Sequence, residues 1–180
     1  MTTGILQRRL GVFAPVAACA LLSALGIGML ASSTFAQPKM LQQQLLGTWL
    51  MATNVTVQPD GSRIDTYGPN AKGIIIFDNS GRFTFVTTRS DLPKFASNNR
   101  TTGTDGENKA VVQGSLAYFG TYSVDETDNS YTVQIESSIF PNWVGTSQKR
   151  KIVFLGDEFT LSNPAGSSGG VIESKYVRAK

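Results

Sequence analysis

Short runs rich in Val, Ile, Thr, Phe and Tyr, broken repeatedly by turn residues, recur along the chain after residue 48, and no other feature restricts its fold so tightly. Such side chains suit a pleated, half-buried surface, and many short strands joined by turns make an all-β barrel or sandwich. About nine runs are present, at 49–57, 63–67, 74–77, 82–88, 119–124, 131–137, 146–155, 158–161 and 171–177. Pro59-Asp60-Gly61 and Asp78-Asn79-Ser80-Gly81 are two of the joints. In the first of these, proline presets one turn dihedral and glycine accepts the left-handed one.

One segment departs from this pattern. Residues 89–106 have no period, and 107–118 place Ala110, Val111, Gly114, Ala117 and Tyr118 along one helical stripe. The spacing predicts one long loop followed by one short helix. A connection of that length in a small barrel serves more often as a lid or rim than as a plain linker. The composition of Asn98-Asn99-Arg100-Thr101-Thr102-Gly103 also fits a loosely ordered surface excursion.

Residues 1–36 read as an export signal. Arg8 and Arg9 precede an apolar stretch over 10–31, and Thr34 and Ala36 supply the small residues of a cleavage site before Gln37. The stretch is long enough to span a bilayer, so an uncleaved anchor is the alternative. Removing the segment takes away two of 16 basic residues and none of 13 acidic ones, lowering the net charge from +3 to +1. A near-neutral domain without a basic stripe argues against nucleic acid and, once the signal is cut, against membrane as partners. Cys19, the only cysteine, lies inside the signal. Residues 37–180 are therefore expected to be exported to the periplasm or beyond as one domain held by its core alone.

The chain contains no histidine. Together with the lack of cysteine after residue 36, this removes the usual zinc sites, histidine-assisted nucleophiles and histidine-ligated iron. No metal or cofactor is expected, and any catalysis would fall to carboxylate, lysine, tyrosine or arginine side chains.

Gly47-Thr48-Trp49 at the start of the first run is a first signal, and four stretches carry a more specific one: Tyr67-Gly68-Pro69-Asn70-Ala71-Lys72-Gly73, the segment 89–97, the segment 118–125 beginning Tyr118-Phe119-Gly120-Thr121-Tyr122, and the segment 138–146 around Phe140-Pro141-Asn142-Trp143. In order and spacing they resemble the bacterial and fungal lipocalin-like domain family over residues 45–178. The resemblance implies a closed antiparallel up-and-down β-barrel of about eight to nine strands around an internal cavity. It also implies that a late arginine, here Arg178, packs over the first-strand Trp49. It names no ligand, and the disulfide frequent among lipocalins has no cysteines to form it.

Within a barrel the parity of each strand separates inner from outer side chains. Arg150 shares parity with Ile152 and Phe154, whereas Lys149 and Lys151 fall on the other side. An inward Arg150 needs a carboxylate, a carbonyl or a ligand anion, and Glu136 is the candidate internal partner; the alternative is an arginine at the mouth with its head in water. Phe83 and Phe85 share an inner face, as core or as cavity lining. Tyr122 alternates with Thr121 and Ser123 and directs its hydroxyl inward. Phe95, Phe140 and Trp143 are large rings in loops, placed to touch a ligand or to plug one end.

These residues support three functions. The first is non-covalent binding of a small, mostly apolar molecule, with Phe83, Phe85, Phe95 and Trp143 giving apolar contact while Tyr122 and Arg150 orient a polar end. The second is an isomerase or cyclase in which Glu136 or Tyr122 moves a proton. The third is an interaction module in the cell envelope acting through the long loop. Asn54-Val55-Thr56 and Asn99-Arg100-Thr101 are glycosylation sequons that matter only in a eukaryotic secretory host.

Overall fold

A computed structural model describes residues 40–180; the expected export signal over 1–36 lies outside the described residues. The strands are β1 (Gly47–Val57), β2 (Arg63–Asp65), β3 (Lys72–Phe77), β4 (Arg82–Thr88), β5 (Ser115–Asp125), β6 (Ser130–Ser138), β7 (Ser147–Leu155), β8 (Glu158–Asn163) and β9 (Val171–Arg178). Two short helices accompany them, α1 (Leu41–Leu45) and α2 (Asp105–Gly114).

All neighbours are antiparallel. β3 to β9 pair in chain order, β3 also pairs with Gly47–Leu50 of β1, and β9 returns to β1 from Trp49↔Arg178 to Val57↔Val171. This closes eight strands into a barrel, with β2 added along Val55–Val57 as a ninth. The bend between β5 and β6 needs a glycine: a Cβ on Gly120 would lie 1.9 Å from the Gln134 carbonyl oxygen, at the bulge that breaks the register there.

The helix falls where it was expected but ends four residues early, at Gly114 rather than Tyr118. Thr104 and Glu107 form a reciprocal capping box at its start, and the Glu107 carboxylate also accepts from the Ala96 amide at 2.8 Å. Ala117 and Tyr118 belong instead to β5. The stripe over 110–118 coincides with a second, period-two pattern of Leu116, Tyr118, Gly120 and Tyr122, and closure of the barrel selects the strand. Helix α1 has no counterpart in the sequence reading, because five residues are too few to show a helical period.

The end of the barrel formed by the start of β1 and the end of β9 is packed solid. Trp49 is fully buried, edge-on to Phe159 at 4.7 Å, and its indole N–H donates to the Leu45 carbonyl at 2.7 Å. Arg178 stacks over that indole at 4.0 Å and donates to the carbonyls of Leu46 and Gln44 at 2.8 and 2.7 Å. The guanidinium thus satisfies carbonyls at the C-terminal end of α1 while covering the tryptophan. Gly47 makes room for it: its φ is +113°, and a Cβ there would sit 3.2 Å from an Arg178 nitrogen. Glu126 holds the other end of α1, accepting from the Leu41 and Gln42 amides at 2.8 and 3.1 Å. Above this plug, Phe77 meets Tyr122 at 5.0 Å and Tyr131 at 5.3 Å, so the lower barrel is filled by rings.

The plug gives a first prediction. Arg178→Lys keeps the charge but loses the planar fork that reaches two carbonyls and an indole at once. Urea unfolding should show a loss of about 2–4 kcal/mol, more than a half-exposed arginine elsewhere on the barrel would give. An unchanged midpoint would show that the plug contributes little.

Candidate functional site

Toward the other end the inner wall changes character. Arg150, Gln148, Asn163, Ser174 and Thr56 are all buried there beside Tyr118 and Tyr176. These side chains point inward because their strands alternate: Lys149 binds Asp128 and Asp125 outside, at 2.7 and 3.4 Å, while Arg150 is only 1% exposed.

Arg150 is the centre of this region. One terminal nitrogen donates to the Tyr118 hydroxyl at 2.8 Å and the other to Gln148 Oε1 at 2.9 Å, with the guanidinium carbon 5.3 Å from the Tyr118 ring centre. Its Nε has no hydrogen-bond partner among the described residues, and neither do the buried Tyr131 hydroxyl and Asn54 Oδ1. None of the ion pairs among the described residues involves Arg150. Glu136, the carboxylate considered for it, lies on the outer face and grips Arg82 with both oxygens at 3.2 and 2.5 Å. That expectation is corrected by strand parity: Glu136 shares its side with Gln134, while Tyr131, Val133 and Ile135 are fully buried. The register bulge between β5 and β6 leaves Glu136 facing Arg82 across the neighbouring strands.

Two spaces that share a wall lie at this end, and the inner one adjoins Arg150. The inner one, about 30 Å³, is lined by Arg150, Tyr118, Phe85, Trp143, Asn54 and Ser174, among others. That volume holds water or one small polar group and nothing larger. The outer one, about 660 Å³, lies at the mouth between α2, Thr66 and Tyr67, and the Ile139-Phe140 turn. Thr66, Tyr67, Leu116, Ser167 and Ser168 line both and so form the constriction between them. No Asp, Glu or Lys lines either space, and Arg150 is the one charged residue.

The residues singled out from the sequence are distributed unevenly over this arrangement. Phe85, Trp143 and Arg150 come together around the inner chamber. Trp143 sits in a one-turn 3-10 segment, Pro141–Trp143, with its ring edge-on to Tyr118 at 5.3 Å. Phe83 lies deeper, against Phe77 and Tyr118. Tyr122 is at the packed end, where its hydroxyl donates to the Asp78 carbonyl at 2.8 Å. Phe95 is half-buried within its own loop, close enough to Gly103 that a Cβ there would lie 2.4 Å from the ring. Tyr118, Tyr67 and Leu116 were missed. Tyr118 was hidden by the helical stripe, and Tyr67 by its place in a turn; the period-two pattern of β5 was the available signal for Tyr118 and Leu116. Asn54, the first sequon asparagine, faces inward and donates to Ser174 at 2.7 Å.

The phenols around Arg150 are neutral hydrogen-bonding groups. Burial pushes Tyr131 up to about 12 and raises Tyr67 and Tyr176 as well. Burial works against the charge of Arg150, the facing phenols of Tyr118 and Tyr131 work for it, and the guanidinium stays protonated. A phenol whose folded-state value lies above its free value of 10.0 leaves stability intact below that pH and costs stability as pH rises toward about 12. An ultraviolet titration should therefore show Tyr67, Tyr131 and Tyr176 ionising only together with loss of the fold. Titration of those three near the free value in a folded protein would contradict this.

A model of the lipocalin-like domain matches residues 46–175. A 4'-hydroxy-3'-methoxypropiophenone carrier protein from Aspergillus oryzae is 34% identical over 80 residues, 41% of this chain and 72% of that one. Among solved structures, a lipocalin-like protein from Bacteroides uniformis is 14% identical, with a TM-score of 0.41 over 76% of this chain and 99% of its own. A fatty acid transporter, REP1-NXSQ, is 12% identical, with a TM-score of 0.36 over 77% and 98%. The family match spans nearly the whole barrel, and the chain belongs to the lipocalin-like domain family.

Proposed function

We propose that this protein is a non-enzymatic carrier, exported from the cytoplasm, that holds one small amphipathic molecule non-covalently at the mouth of its barrel. The observation that carries the reading is the 660 Å³ outer space narrowing past Tyr67 and Leu116 onto a buried arginine without a carboxylate. A space of that size accommodates a small organic molecule, and one convergent polar group at its base fixes orientation. The lower barrel is too full of rings to contribute. The ligand body therefore belongs in the outer space, and only its polar end reaches the inner chamber. The relative named as a carrier of an aryl ketone supports both the carrier role and an aromatic body with an acceptor at one end. Support for export is the signal-like segment over 1–36. The catalytic alternative loses its carboxylate, since Glu136 is outside.

Trp49 and Trp143, the two tryptophans, stand at opposite ends of the barrel, which supplies the assay. Titration with aryl ketones, beginning with 4'-hydroxy-3'-methoxypropiophenone, should change tryptophan emission in the native protein and not in Trp143→Phe. Leu116→Trp, which adds bulk at the constriction, should weaken binding at least tenfold. Native mass spectrometry of the protein from its own host should show a co-purifying small molecule. Unchanged emission across the series together with a bare native mass would overturn the carrier reading.

A further inference from the structure

We infer that the molecule carried is a monoanion whose carboxylate docks in the inner chamber against Arg150, so that the mouth selects organic acids over their neutral analogues. This rests on the carrier reading above and assigns the chemical class of its ligand. Arg150 is 1% exposed, yet only neutral groups face its positive charge: the oxygens of Tyr118 and Gln148, to which it donates, and the neighbouring phenol of Tyr131. A buried cation left without an anion is unfavourable, and a bound anion offsets that cost where water cannot.

The remaining donor of Arg150 fits the same head group. Nε of Arg150, a residue that lines the chamber, has no hydrogen-bond partner among the described residues; Tyr131, its direct neighbour across the β6–β7 pair, lies beside the guanidinium but not on the chamber wall. A carboxylate has two oxygens to offer and accepts charge-assisted hydrogen bonds from a guanidinium. Size limits the head to one such group, because the chamber measures about 30 Å³. Charge limits the rest: the titratable side chains lining the chamber besides Arg150 are Tyr67, Tyr118 and Tyr176, and the outer space is lined by no charged residue. A second anionic group or a cationic body finds no counter-charge there. The ligand is thus an acid with one ionised end and a neutral, largely apolar body.

A matched pair of probes separates this claim from the carrier reading. Calorimetric titration should find 4-phenylbutanoate bound at least tenfold more tightly than 4-phenylbutanamide, which has nearly the same shape and no charge. Arg150→Gln should remove that preference, leaving acid and amide equal. Carboxyl-labelled 4-phenylbutanoate bound to the unaltered protein should titrate at lower pH than the free acid, by NMR, because the guanidinium favours the ionised form. This last measurement needs no variant and stands if Arg150→Gln does not fold. Equal binding of acid and amide, or an unshifted carboxyl titration, overturns the anionic subsite and leaves the carrier reading in place. Binding of neither probe overturns the subsite, and if the aryl ketones also fail, the carrier reading goes with it.

Discussion

Closure of the barrel at one end depends on Arg178 lying over Trp49. The guanidinium covers an indole that is fully buried, and in the same position it takes up two carbonyls of the chain entering β1. Those carbonyls would otherwise be left unsatisfied where α1 ends. The indole N–H bonds back to Leu45, so helix, first strand and last strand are fixed to one another by two side chains. Because β1 and β9 are also the pair that closes the sheet, this contact sets where the eight strands meet. The ring-filled lower barrel follows from it, since a sealed end excludes water and leaves the inward side chains only each other to pack against.

The mouth is organised by the opposite logic. Inward positions on β1, β7, β8 and β9 change from rings to Asn54, Gln148, Arg150, Asn163 and Ser174. Buried polar groups without full partners cost stability, and apolar residues at the same positions would build a firmer core. Their presence around a chamber that opens into a larger space is what a binding site requires and a structural core does not. Stability and binding are thus separated along the barrel axis, with the packed end tolerating the imperfectly satisfied one.

Much of this was legible from residue order. The strands appeared as period-two runs because each buries only one face, and strand parity set Arg150 on the opposite side from Lys149 and Lys151, while its full burial, rather than a place at the mouth with its head in water, is shown by the structure. The pairing of Trp49 with Arg178 came from the family resemblance and is what the geometry shows. Other features depend on tertiary context. Tyr118 satisfied a helical and a strand period at once, and only closure of the sheet decides between them. The partner of Glu136 depended on a bulge at Gly120 that shifts register, and a backbone approach of that kind leaves no trace in side-chain pattern. The constriction at Tyr67 and Leu116 joins a turn to a strand nearly fifty residues away, which no local period encodes.

A sealed end supports a looser mouth in this barrel, and amide hydrogen exchange on the protein alone is the decisive measurement. Amides of Leu50, Ile75, Val133 and Ile152 should exchange only through global unfolding, and those of residues 66–71, 138–146 and 164–170 through local opening at lower free energy. Exchange at the Trp49 end as fast as at the mouth would contradict it.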